Sequence, residues 1–154
     1  MAKTALKKAA EYEQIFQELG NIPDKIFDSM KDVFMFAAAL GFHRKKRVPF
    51  QKSGGEDISL RFFKDEDENI FNIMALADTN DMSILLPDEE HREKKYRIVE
   101  EYANGGMSIM AGEFCRPIVD EGAFQRFIEA FDDDSDEAQK SSLEDILAKA
   151  LDLV

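Results

Sequence analysis

Apolar residues in the first part of the chain recur at helical spacing. Tyr12, Ile15, Phe16 and Leu19 stand at i, i+3, i+4 and i+7, which predicts a first helix from about Thr4 to Leu19, with Gly20 as its left-handed stop. Asn21-Ile22-Pro23-Asp24 restarts the chain, proline being well suited to a first turn. Ile26, Met30, Val33, Ala37 and Leu40 then form the stripe of a second helix, widened by Phe27, Phe34 and Phe36, and Gly41 is its expected end. From Val33 onward every face of that helix is apolar, the pattern of an element buried on several sides, so it is expected at the centre of the core.

Val48-Pro49-Phe50 and the turn Ser53-Gly54-Gly55 follow. Ile58, Leu60 and Phe62 alternate with polar residues as a half-buried strand does, although Ile58 and Phe62 would also suit a helix. Strand and helix stay open for residues 56–63, and equally for the short apolar run 82–86. Asp65-Glu66-Asp67-Glu68 is an acidic first turn that complements a helix dipole, and Ile70, Phe71, Ile73, Met74 and Ala77 continue it. Pro87-Asp88-Glu89-Glu90 starts another helix, which carries Val99, Tyr102 and Ala103, is expected to stop at Asn104-Gly105-Gly106, and leads into irregular structure or short elements over 107–119. Asp120 caps a helix bearing Ala123, Phe124, Phe127, Ile128 and Phe131. Asp132 to Glu137 is too charged to bury, and Ser141-x-x-Glu144 is a capping box. The expected fold is mainly α, or α+β with a short hairpin. A compact single domain of about five to six helices is expected around the central apolar helix, with 1–131 as its mostly helical body. An acidic linker, 132–140, and a C-terminal amphipathic helix, 141–154, complete the chain. Leu143, Ile146, Leu147, Ala150 and Leu151 line one face of that last helix. A short amphipathic helix alone is marginal in water, so this face is a candidate partner-binding surface, covered by its own domain, a second copy or another protein.

The chain has 154 residues, 44% of them apolar, the size and composition of one globular domain. Its single cysteine, Cys115, can form no internal disulfide, which fits a reducing compartment. No run of 18 apolar residues exists and no apolar stretch follows Lys3, so neither a membrane span nor a secretory leader is expected and a cytoplasmic location is. The net charge is −12, unevenly spread: residues 1–61 hold 11 Lys and Arg against 8 Asp and Glu, residues 62–154 hold 9 against 24. Such a chain repels phosphate at long range, and DNA contact would need a local basic patch in the first half.

Arg44-Lys45-Lys46-Arg47, followed by Lys52, is that patch and the candidate nucleic-acid site; the plainer reading is a solvated charge run at a helix C-terminus. His43 and His91 have no cysteine or second histidine at zinc-ligand spacing. Asp65-x-Asp67-x-Asn69 and Asp132-x-Asp134-x-Asp136 imitate a calcium loop. The positions that need glycine hold Ile70 and Glu137, and those that need glutamate hold Leu76 and Leu143. Asp88, Glu93 and Lys95 have the residue types of a metal nuclease, but they lie on one expected helix, pointing to different faces. The Gly-Gly pairs lack the pattern of a phosphate loop, and Cys115 lacks an activating histidine nearby. No catalytic residue, metal site or cofactor is expected.

Phe36-Ala37-Ala38-Ala39-Leu40-Gly41-Phe42-His43-Arg44 with Val48-Pro49-Phe50, and then Glu101-Tyr102-Ala103-Asn104-Gly105-Gly106, resemble the two characteristic stretches of the bacterial Dnd system-associated protein 4 family. The similarity covers about residues 25–131. Dnd systems install phosphorothioate sulfur in DNA, and companion proteins restrict unmodified DNA. The resemblance thus implies an accessory or regulatory protein of such a defence system, working through other proteins of the system and through weak DNA contact. A small DNA-binding transcriptional regulator, and a nuclease-complex subunit without a complete active site of its own, are the rival expectations. Both stretches read as structural, a core helix with its stop and a helix cap, and imply no mechanism.

Overall fold

The computed structural model describes residues 3–20 and 27–113. The helix at 120–131, the acidic run, the C-terminal face of Leu143, Ile146, Leu147, Ala150 and Leu151, and Cys115 lie outside the described residues. Four α-helices stand in the described part: α1 (Glu13–Gly20), α2 (Met30–His43), α3 (Asp65–Thr79) and α4 (Glu89–Glu113). Two short strands, β1 (Ala5–Leu6) and β2 (Ile58–Ser59), pair antiparallel with Ala5 opposite Ser59 and Leu6 opposite Ile58. The fold is mainly α with a small two-stranded sheet, in one compact domain.

The first helix starts later than its periodicity suggests. Thr4 to Leu6 is extended, because the Leu60 N–H donates to the Thr4 carbonyl and Leu6 is fully buried beneath the β1–β2 pair. Ala9 bridges Ser53, and a single 3-10 turn, Ala10–Tyr12, leads into α1. The buried Lys8 ammonium bonds Glu13 Oε2 at 2.8 Å and Met30 Sδ at 3.2 Å, so its charge is paired where water cannot reach it. Only Ile58–Ser59 of the alternating run 58–62 is strand. Leu60–Phe62 and Met82–Leu85 are 3-10 turns, which settles both open segments.

The central position expected for the second helix is what the structure has. Ser29 caps α2, its Oγ accepting from the Asp32 N–H, and Val33, Phe34, Ala37, Ala38 and Leu40 are buried. Its most extensive contact is with α4, which runs unbroken for 25 residues, through the glycine pair and through 107–113 of the segment expected to be irregular or made of short elements. Gly41 likewise lies inside α2. A Cβ at Gly41 would overlap the Tyr102 carbonyl, and one at Gly106 the Ala37 carbonyl. These glycines let two helix backbones touch.

The end of α2 is a Schellman turn built without glycine. The Lys46 N–H donates to the Gly41 carbonyl and the Lys45 N–H to that of Phe42, with Lys45 at φ 55°. A lysine in this left-handed conformation is strained by about 1 kcal/mol relative to glycine. Lys45→Gly is therefore expected to stabilise the fold by about 0.5–1 kcal/mol, read as a raised urea midpoint with an unchanged slope. A lowered midpoint would show that the Lys45 side chain itself holds the turn.

Candidate functional site

The basic run leaves α2 at this turn, and the structure divides it. Arg44 and Lys45 project into solvent with no ion pair among the described residues. Lys46 reaches Ser108 Oγ on α4 at 3.0 Å. Arg47 is held twice, by Asp78 Oδ2 at 2.6 Å and by Glu101 Oε1 at 2.8 Å. Lys52 is exposed; its carbonyl accepts from the Ala10 N–H beside the β-pair. The five candidate cations are therefore not one surface. Arg44 and Lys45 are free to meet a phosphate, whereas Arg47 is a clamp between α3 and α4.

From Lys46 the chain runs back along α4 as an extended strap, residues 46–54. The Val48 N–H donates to the Glu101 carbonyl, Asn104 Nδ2 donates to the Val48 carbonyl at 3.0 Å, and the Arg97 guanidinium donates to the Phe50 carbonyl and lies over the Phe50 ring. Tyr102 bonds Asp78 Oδ1 at 2.6 Å and meets Phe42 edge-on at 5.3 Å between ring centroids. Burial first, and then the adjacent Asp78 carboxylate, push the Tyr102 hydroxyl above its ordinary pKa, so it stays a donor. Glu101 also accepts from Arg97, at 3.0 Å.

Each residue of Glu101-Tyr102-Ala103-Asn104-Gly105-Gly106 thus has a partner role. Glu101 grips two arginines, Tyr102 holds Asp78 and Phe42, and Ala103 is core. Asn104 fixes the strap, while Gly105 and Gly106 admit the Lys46 and Ala37 backbones. Of these partners Ala37, Phe42 and Val48 lie in the first stretch, and Lys46 and Arg47 lie in the turn between its two parts. The two stretches that stand out in the sequence are the two halves of one helix–helix–strap joint.

Immediately before that stretch, Glu100 is 1% exposed. Its Oε2 accepts from the Lys7 N–H at 2.5 Å and from Lys3 Nζ at 3.0 Å, which ties the N-terminal segment to α4. Glu100 Oε1 and Asn104 Oδ1 have no partner, and both residues line a cavity of about 10 Å³, close to the room one water needs. Burial raises the Glu100 pKa, opposed by the Lys7 N–H and by Lys3. A carboxyl raised above its ordinary 4.5 keeps its proton longer when folded than when unfolded. Stability therefore falls as pH rises from that value through the folded pKa. Glu100→Gln is expected to flatten this part of the pH–stability curve, measured by urea melts between pH 4 and 8 (roughly the range spanned by a raised carboxyl). An unaltered curve would place the proton elsewhere.

The remaining sequence candidates are dispersed. Asp65 to Asn69 are the opening turns of α3 and no calcium loop; Asp67 accepts the Lys64 N–H and pairs with Lys31 at 2.7 Å. His91 bonds Asp88 at the start of α4, and Lys95 bonds Glu68 and Asn72 on α3, so Asp88, Glu93 and Lys95 do not converge. Tyr96 donates to Glu68; burial, and then that carboxylate, push its pKa up to about 12. Among the described residues no three His, Cys, Asp or Glu side chains are grouped to hold a metal ion, and no helix is long and apolar enough to cross a membrane.

The arrangement defines a small helical protein whose distinguishing residues join α2, α4 and the strap. The chain belongs to the DNA sulphur modification system-associated protein 4 family, whose model matches residues 5–146. That match reaches beyond the 25–131 expected for the similarity, taking in β1 and α1 at one end and the acidic run at the other. No curated protein and no solved structure matches the chain.

Proposed function

We propose that this protein is a non-enzymatic, cytoplasmic accessory component of a DNA phosphorothioation and restriction system, acting through contacts with the system's other proteins and touching DNA weakly at Arg44 and Lys45. The observation that carries this reading is that the family's distinguishing residues are engaged in joining helices. With those side chains committed to packing, none is left as a reactive group, which supports a part played by contact. The DNA component is supported by two free cations presented on a strained turn, in a chain whose net charge of −12 opposes non-specific binding elsewhere.

Two measurements test it together. The tagged protein, expressed with the modification and restriction proteins of its own host, is expected to retain at least one of them on purification. Duplex DNA titrated at low salt is expected to bind weakly, and Arg44→Gln with Lys45→Gln to reduce the salt slope by roughly two phosphate contacts. Arg47 is left intact, since its loss would break the clamp. Failure to retain any system protein, together with sequence-selective DNA binding, would make the protein a transcriptional regulator. Metal-dependent DNA cleavage by the assembled proteins that is lost with an acidic residue of this chain would make it a nuclease subunit.

A further inference from the structure

Glu100 and Asn104 stand four residues apart on α4, so their side chains share one face of the helix. Both are more than nine-tenths buried, and each has one polar end committed. Glu100 Oε2 accepts from the Lys7 N–H and from Lys3 Nζ, and Asn104 Nδ2 donates to the Val48 carbonyl. Those bonds fix the orientation of both groups. They leave Glu100 Oε1 and Asn104 Oδ1 without a partner among the described residues, and both residues line the same small cavity. Two acceptors cannot bond each other. A proton on Glu100 Oε1 changes that. A neutral carboxyl donates through one oxygen and accepts through the other, so one O–H serves both orphaned oxygens while Oε2 goes on accepting from the N-terminal segment.

That segment is the cover of the pair. Lys7, Lys8 and Ala9 close the cavity on one side, and the facing side chains of α1 and α2 are the uncharged Phe16 and Phe34. Few bonds hold the cover: the two-residue β1–β2 pair, the Ala9–Ser53 bridge, and the Leu60 and Gly54 N–H groups on the Thr4 and Lys8 carbonyls. Of the charges nearby, Lys3 is in ion-pair contact with Glu100 at 3.0 Å, and the Lys8 ammonium is turned to Glu13. On its outer side Glu100 shares a cleft with Arg47 of the strap and with Glu93, Lys94 and Arg97 of α4. Arg47 and Arg97 are tied to Asp78 and Glu101. Burial favours the neutral carboxyl, and the Lys7 N–H and Lys3 oppose it.

We propose that the N-terminal segment, residues 3–9, is a pH-sensitive cover, seated while Glu100 carries a proton bonded to Asn104 and loosened when that proton leaves. Once Glu100 is ionised, two buried acceptors face each other, and the carboxylate gains by meeting water. Lifting the segment admits that water. A carboxyl that holds its proton longer covered than uncovered favours the cover at low pH and loosens it as pH rises through the covered midpoint. Lys3 limits the loosening, because its ammonium partners the ionised form. Release also reaches the strap, which the segment holds through Ala9 opposite Ser53 and the Ala10 N–H on the Lys52 carbonyl.

The test is amide hydrogen exchange of the full chain, followed by NMR from about pH 5 to 8 and corrected for the intrinsic effect of pH. Protection of the Leu60 and Gly54 amides is expected to fall with rising pH, by at most about tenfold per pH unit, the limit for one proton. The Asn80 amide, bonded to Leu76 at the end of α3, is the control and is expected to hold level. Glu100→Gln copies the neutral acid, its amide donating to Asn104 Oδ1, and is expected to keep Leu60 and Gly54 protected across the range. Lys3→Met is expected to extend the fall to higher pH. In the unaltered chain the Glu100 Cδ and Asn104 Cγ shifts are expected to titrate at one midpoint, a reading that needs no variant to fold. A flat Asn104 Cγ overturns the proposal. So does Leu60 and Gly54 protection that stays level in the parent or falls as steeply in Glu100→Gln.

Discussion

Gly106→Ala is expected to destabilise the protein by about 3 kcal/mol or more, although the same change in an exposed helix would gain about 1 kcal/mol. Gly106 lies within α4, where alanine is the better helix former. The added Cβ would overlap the Ala37 carbonyl oxygen, which belongs to the backbone of α2 and cannot rotate away as a side chain could. Either the two helices with the most extensive contact move apart, or α4 bends. For a chain of this size the loss should appear as a fall of about 10 °C in the thermal midpoint, at about 2–4 °C per kcal/mol. Gly105→Ala is the informative companion. Its Cβ would meet the Lys46 carbonyl at the start of the strap, an element held by fewer contacts than a core helix, so a smaller loss is expected. A Gly106→Ala protein as stable as the parent would mean that the crossing is looser than the structure has it, and the account of the family's second stretch would fail with it.

Truncating Phe34 to alanine is expected to cost about 3–5 kcal/mol, the range for a fully buried phenylalanine. Phe34 is 0% exposed, meets Phe63 edge-on at 6.2 Å between ring centroids, and forms part of the wall of the small cavity beside Glu100 and Asn104. Enlarging that cavity would leave the two unpartnered oxygens facing more empty or hydrated space, so collapse of the site is opposed and the upper end of the range is expected. Phe62→Ala is the control: that ring is 55% exposed, and its loss should move stability by no more than about 0.5 kcal/mol. Equal urea midpoints for the two variants would show that α2 is peripheral.

The sequence alone located three of the helical runs and the place of the central one. The apolar run from Val33 to Leu40, the acidic opening at Asp65 and the Pro87-Asp88 start each act within a turn or two of themselves. Thus α3 and α4 open where those signals put them, while α2 holds its apolar run but opens only at Met30 behind the Ser29 cap, with Phe27 of the expected stripe ahead of the helix. The two characteristic stretches were also visible as residues. Their relation was not. Gly41 and Gly105-Gly106 read as helix ends because a glycine that permits a left-handed turn and a glycine that admits a neighbouring backbone are the same residue in a sequence. Only the packing of α2 on α4 separates the two uses, and the actual stop of α2 fell to Lys45, a residue no local rule would choose. The same limit explains the first helix, shortened because Ala5–Leu6 pairs with Ile58–Ser59 from far along the chain. It also explains the basic run, where Arg47 is tied by Asp78 and Glu101 while Arg44 and Lys45 are not. Propensity and periodicity report what a backbone prefers among its near neighbours. Which carboxylate meets which arginine, and which charges gather around a cleft, is decided by residues brought together only when the chain has folded.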